Sequence, residues 1–236
     1  MKPGWGRLAK ARARGQSAGV SFRIAIDGTF ASGKGTLARR LAAHYGLAHL
    51  DTGRIYRATA LAVLEAGGDP DSERDGLRGV ERANFARLDD PRLTDDAVAQ
   101  AASRVSVHPG VRAALLEMQR RFARDTSESH PGGGAVLDGR DIGTVVLPGA
   151  EVKLFVDAEA EVRARRRFEE LAARGDAITE AEVRASLEER DGRDRTRAQA
   201  PLKPAEDAHL LDTTDLSIDA AFERARDIVD AVRAVR

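Results

Sequence analysis

The sequence predicts an α/β fold in which a parallel sheet is covered by helices on both faces. Three features lead there. Five short apolar runs each end in aspartate: Phe22 to Asp27, Leu47 to Asp51, Ala135 to Asp138, Val152 to Asp157 and His209 to Asp212. Stretches with helical spacing separate these runs, and alternating strand and helix units fold as parallel strands joined by crossover helices. A glycine-rich loop joins the first run to the first helix, and in such sheets ligands bind outside the carboxyl ends of the strands.

Taken in order, residues 1–20 carry five basic side chains and no acid and lack periodicity, so they are expected to form a flexible tail. The first strand, Phe22 to Asp27, leads through the loop into a helical pattern from Leu37 to Tyr45. After the second strand a helix is expected over Ile55 to Ala66. Gly67 to Val107 breaks the alternation, being polar and rich in Asp and Arg, and reads as an insert over the ligand-binding edge. A helix over Val111 to Ala123 precedes the third strand, and another over Glu161 to Ala173 follows the fourth. Arg174 to Arg197 is a second, charged insert. Within it Thr179 followed by Glu182 has the spacing of a capping box, which predicts a helix start. The chain closes on a helix over Ile218 to Val235, where Ile218, Phe222, Ala225, Val229, Val232 and Val235 recur at helical spacing as a core face.

Composition narrows the function classes. A chain of 236 residues with 42% hydrophobic side chains buries a core without covalent staples, and with no cysteine it has neither disulfides nor thiolate metal sites. Equal numbers of basic and acidic residues, 38 each, argue against a stable nucleic-acid partner. No apolar stretch approaches the roughly 18 residues of a membrane span, so a soluble, cytoplasmic protein is expected, without a membrane partner and as a monomer. Arginines outnumber lysines by 33 to 5, so each arginine is judged by position rather than by abundance. The five histidines are scattered without metal-ligand spacing.

The loop itself reads Gly28, Thr29, Phe30, Ala31, Ser32, Gly33, Lys34, Gly35, Thr36. A strand feeding such a loop into a helix start turns successive backbone N–H groups inward, and the lysine adds a cation beside the outer phosphates of a nucleotide. All nine residues are therefore expected to bind the phosphates of ATP, with Lys34 catalytic. The fold sharpens accordingly to a P-loop NTPase-type parallel five-stranded sheet. The ending Gly-Lys-Gly-Thr, with the hydroxyl one place later than in GTPases and motor ATPases, is typical of small-molecule phosphotransferases acting on nucleotides. A GTPase would also need an Asn-Lys-x-Asp motif, and the only asparagine is Asn84, followed by Phe85.

Three further clusters fall in order along the chain: Asp51-Thr52-Gly53-Arg54-Ile55-Tyr56-Arg57; Asp138-Gly139-Arg140-Asp141-Ile142-Gly143-Thr144-Val145-Val146; and Glu189-Arg190-Asp191-Gly192-Arg193-Asp194-Arg195-Thr196-Arg197, followed by Ala200-Pro201-Leu202. With the loop, and with Ser103 and Arg112, they resemble the bacterial cytidylate kinases, the CMP/dCMP kinases of the nucleoside monophosphate kinase family. The resemblance spans almost the whole chain from Phe22. It implies one kinase domain over 21–236, with core segments 21–66, 113–173 and 198–236, an acceptor-binding insert over 67–112 and a lid over 174–197. It implies ATP and CMP or dCMP as partners, in pyrimidine nucleotide metabolism. By the same resemblance CMP binds Thr52, Tyr56, Arg57, Ser103, Arg112, Arg140, Asp141, Arg190, Asp194 and Arg197. Of these, Arg57 and Arg140 grip the acceptor phosphate, Arg190 and Asp194 reach the sugar, and Arg197 bridges the phosphates. Arg140 and Arg197 join Lys34 as catalytic residues. Arg163, Arg166, Arg167 and Arg193 are further candidates for the ATP side.

These residue types suit phosphoryl transfer, which asks chiefly that two polyanions be held in line and their charge neutralised. Arginine forks bind phosphate oxygens in pairs. Asp138 ends a strand where similar adenylate-kinase-like proteins place an acid, and the resemblance implies that it orders waters around Mg²⁺, which prefers oxygen ligands and retains several waters. The insert lacks strong alternation between Gly68 and Thr94, so the small antiparallel sheet of relatives is expected to be reduced or absent. Arg54 stands where the family often has a small residue, and Thr52 where it often has serine. A kinase of a non-nucleotide metabolite, of shikimate or gluconate type, shares loop and lid but leaves Ser103, Arg112 and Asp141 unexplained.

Overall fold

The computed structural model describes residues 21–126 and 130–235; the expected tail, residues 1–20, lies outside them. Five strands, β1 (Phe22–Gly28), β2 (Ala48–Asp51), β3 (Gly134–Gly139), β4 (Val152–Asp157) and β5 (His209–Asp212), form one sheet in the order β2-β3-β1-β4-β5. β1 and β4 are parallel, with Ile24 opposite Val152, and so are β4 and β5, with Leu154 opposite His209. Ile24, Ala25 and Ile26 are all fully buried. A strand covered on both faces needs such a continuous apolar run rather than alternation.

Strand limits agree with the sequence to within one residue, but the helices other than the last begin earlier than their apolar spacing. Helix α1 (Lys34–Tyr45) starts inside the loop, and α2 (Thr52–Glu65) follows β2 directly. First turns are polar because their N–H groups face caps or ligands, so the apolar period begins a turn late. Asp51 is the cap of α2, its carboxylate accepting from the Arg54 amide at 3.3 Å.

The first insert folds as α3 (Glu73–Arg82), a 3-10 turn at Pro91–Thr94 and α4 (Asp96–Val105), and among the described residues it contains no strand. The buried positions of α3 are Gly76 and Gly79, so the helix shows no apolar stripe. A Cβ on Gly79 would lie 2.6 Å from Val63 Cγ2, so only glycine permits this approach to α2. Arg54, the departure from the family pattern, donates to the Leu88 carbonyl at 2.6 Å and ties α2 to this insert.

Helices α5 (Pro109–Asp125), α6 (Ala160–Ala173), α7 (Glu180–Thr196) and α8 (Ile218–Ala234) complete the fold. The capping box is present: Thr179 Oγ1 accepts from the Glu182 amide, and the Glu182 carboxylate accepts from the Thr179 amide at 2.8 Å. The core face of α8 needs correction at both ends. Phe222, Ala225 and Val229 are buried, whereas Ile218 is 64% and Val235 84% exposed. Periodicity fixes the direction of a helix face but not how far its neighbours extend along it.

The chain divides into two compact units. One comprises Tyr45–Leu137 with the residues up to Arg23, and the other Ile24–His44 with the residues from Asp138. In the first, α2 packs on α3 and α4, and α3 on α5. In the second, α6 packs on α7, and α8 lies against β4 and β5. Among the described residues no helix is long and apolar enough to cross a membrane.

Candidate active site

In the second unit the phosphate loop is built by close approach and anchored from behind. A Cβ on Gly28 would sit 1.9 Å from the Val156 carbonyl oxygen, so β4 can run beside the loop only because this residue is glycine. Gly33 (φ 86°) and Ala31 (φ 61°) take left-handed backbone, which curls the chain round the space where α1 begins. The fully buried Thr29 donates to Asp157 at 2.6 Å, and Thr213 donates to the Ser32 carbonyl at 3.0 Å. The Lys34 ammonium donates to the Thr29 carbonyl at 3.1 Å, across the loop. A cavity of about 410 Å³ adjoins it, lined among others by Ala31, Gly33, Thr36, Arg166, Arg167 and Thr213.

Beside the loop lies a cluster of charges from β3, the segment after it, and α7. Arg140 donates to Asp194 at 2.8 Å. Arg197 lies 3.7 Å from Asp141, and the Arg190 guanidinium sits 4.1 Å above the Phe30 ring. Burial opposes ionisation of Asp194, but the charges of Arg140, Arg190 and Arg197 outweigh it and hold the carboxyl below its ordinary value. The Asp138 carboxylate is buried and close to the start of α1, 3.6 Å from where a Cβ on Gly35 would stand.

The remaining expected residues lie in the first unit. Thr52 is buried in the first turn of α2, and Arg57 on the same helix donates to the Leu93 carbonyl at 2.8 Å. Ser103 is buried on α4. Arg112, buried on α5, donates to the Ser106 carbonyl at 3.3 Å with its guanidinium 6.0 Å from the Tyr56 ring centre.

The helix arginines divide by what holds them. Arg166 and Arg167 line the loop cavity, Arg166 donating to the Thr213 carbonyl at 2.7 Å. Arg193 pairs with Glu189 one turn earlier on α7. Arg163 is occupied elsewhere: it donates to the Ala158 and Phe30 carbonyls and pairs with Asp191 at 2.7 Å, both side chains being buried.

Sequence reasoning missed the groups that hold the site from behind: Asp27, Asp157, Asp191 and Arg163 in this role. The one available signal was the acid at the end of every strand. Asp27 accepts from the Ile142 and Gly143 amides at 2.7 Å each, and Asp157 holds Thr29. A phosphate-sized loop held by Asp157 beside an arginine cluster held by the buried Asp194 can bind a polyphosphate and bring side-chain cations to it.

The comparisons with known proteins agree with this geometry. The family profile described as cytidylate kinase matches residues 24–231. A cytidylate kinase of Brucella suis biovar 1 (strain 1330) is 53% identical over 209 residues, covering 89% of this chain and 93% of the relative. One of Rhodopseudomonas palustris (strain TIE-1) is 55% identical over 213 residues, covering 90% and 98%. Among solved structures, an uncharacterized protein from Eubacterium ventriosum ATCC 27560 superposes with a TM-score of 0.53 at 13% identity, over 89% of this chain and 99% of that one, a likeness of fold alone. With its motifs in order and more than half of the aligned residues identical to those of such relatives, this chain belongs to the cytidylate kinase family.

Proposed function

We propose that the protein transfers the γ-phosphoryl group of ATP to CMP or dCMP, giving ADP and CDP or dCDP. The observation that carries this reading is the identity of 53% or more with cytidylate kinases along nearly their full length. ATP places its phosphates in the loop Gly28–Thr36, where backbone N–H groups and Lys34 neutralise them, and the Arg166 and Arg167 cavity takes the rest of the nucleotide. The residues assigned to CMP are Thr52, Tyr56, Arg57, Ser103, Arg112, Arg140, Asp141, Arg190, Asp194 and Arg197. Arg140 and Arg197 supply positive charge to the group in flight, together with Lys34.

The donor set suits Mg²⁺. Among the described residues there is no group of three or more metal-ligating side chains, and magnesium at a nucleotide needs only one or two carboxylates besides phosphate oxygens and waters. Asp138 and the Thr36 hydroxyl would hold it through water or directly, and it would supply positive charge to the phosphates. Asp27 is not a candidate ligand, because both its oxygens already accept backbone amides.

A coupled assay for ADP release over CMP, dCMP, UMP, AMP, shikimate and gluconate tests the reading. CMP and dCMP are expected to give the highest kcat/KM. Faster turnover of shikimate or gluconate than of CMP overturns it.

A further inference from the structure

Asp27 has no part in the roles just assigned, yet it is 4% exposed and sits immediately before the phosphate loop. Its two oxygens accept from two successive amides, Ile142 and Gly143, at 2.7 Å each. Those amides open a π-helical turn, Ile142–Val146, that follows directly on Arg140 and Asp141, and the Asp141 carbonyl accepts from the amides of Val145 and Val146. The segment is thus folded on itself and pinned at its start by one carboxylate from β1.

The surroundings offer that carboxylate little charge compensation. Asp141 and Arg140 act on it from the pinned segment with opposite sign. Asp27 pairs with Phe155 of β4, and Lys153 on the same strand lays its methylenes beside Gly143 while its ammonium turns to Asp207 at 2.8 Å. Burial therefore pushes the Asp27 carboxyl up to about 6, against the pull of the two amides. A neutral isostere would not serve instead. Asparagine keeps one amide bond and turns its NH₂ toward the other N–H, whereas a carboxylate accepts both.

The geometry points to Asp27 as a positioning residue for the acceptor: by gripping the Ile142 and Gly143 amides it fixes the backbone that carries Arg140 and Asp141, from the strand that also feeds the ATP loop. This rests on the reading of Arg140 and Asp141 as CMP-binding residues. The other restraints named above for these two side chains, Asp194 and Arg197, belong to α7 and the residue after it. Asp27 supplies one that does not depend on α7.

The test is Asp27→Asn in the full chain, with KM measured for both substrates and backbone amides followed by NMR. KM for CMP is expected to rise about tenfold or more while KM for ATP stays within about threefold, because a buried amide loses its acceptor on the CMP side only. Equal changes in both constants, or an unchanged KM for CMP in a folded variant, overturn the proposal. The wild-type spectrum gives a second readout that requires neither the variant to fold nor CMP to be the substrate. The Ile142 and Gly143 amide protons should lie downfield and move together as pH passes from about 5 to about 7. Amide protons that lack the downfield shift at pH about 7 remove the grip, whatever the acceptor proves to be.

Discussion

The ammonium of Lys34 reaches the Thr29 carbonyl at 3.1 Å, so it is turned across the loop to which it belongs. A cation held there would meet charge that grows on the transferred phosphoryl group, and Lys34→Ala should lower kcat by about a hundredfold or more. The melting temperature should move by only a few degrees, since the side chain is not part of the core. Near wild-type turnover in a folded variant would exclude the role. Asp141 poses a question of specificity. Cytosine presents an amine at C4 and acceptors at N3 and O2; in the proposed reading Asp141 would accept from the amine, whereas uracil would turn an acceptor toward the carboxylate. Asp141→Asn, whose amide can donate to O4 of uracil, should narrow the ratio of kcat/KM for CMP over UMP, mainly through loss of CMP activity. The same ratio in both proteins would assign base reading to another residue. Lys34 and Asp141 stand out in the sequence as candidates because spacing and resemblance are the signals that mark ligand-binding positions. Asp27, Asp157 and Arg163 were not legible in their roles, since their partners are backbone and side-chain groups more than a hundred residues away, in the case of Arg163 the Phe30 carbonyl.

At the scale of elements, the contact that ties α6 to α7 and to the loop is the buried pair Arg163–Asp191. Arg163 reaches the Phe30 carbonyl, while Asp191 Oδ1 is buried with no hydrogen-bond partner among the described residues. Removing one member strands the other, a loss of about 3–5 kcal/mol, whereas replacing both with apolar side chains can be close to neutral. Arg163→Met should therefore lower the urea midpoint strongly, and adding Asp191→Leu should recover much of the loss. Additive losses in the double variant would show that the two side chains do not act as a pair. This level of structure was read unevenly. All five strands and the capped start of α7 were legible, because β-runs and capping boxes are written in local sequence. α3 was hidden because its inward face is Gly76 and Gly79, and α4 because its buried residues are largely alanines and short side chains within a polar stretch. Helices that pack by close approach carry no large apolar stripe for periodicity to detect.

Over the whole molecule, the two buried aspartates with shifted carboxyls act on stability in opposite directions and in different pH windows. Asp194, held below its ordinary value although burial alone would raise it, contributes stability that is present above the unfolded value of 3.8 and is lost as pH falls through its lower folded value. Asp27 is raised from 3.8 to about 6, chiefly by burial. Between those values the folded state binds a proton that the unfolded chain has released, so its contribution weakens as pH rises through the window and is lowest above about 6. A rise of about two pKa units at roughly 1.4 kcal/mol each corresponds to about 3 kcal/mol. A cost of that size carried by a carboxylate next to the phosphate loop fits a group retained for what it positions rather than for folding. The prediction concerns a difference between two proteins, which removes the titrations they share. Urea unfolding of the wild type and of Asp27→Asn should give stabilities whose gap shifts by up to about 3 kcal/mol between pH about 4 and about 7, in favour of the variant as pH rises. The sign follows because asparagine cannot ionise and so escapes the growing penalty, whatever constant loss it suffers from the missing amide bond. Parallel curves through that range would mean that Asp27 titrates as it does in the unfolded chain, and the account of its burial would be wrong.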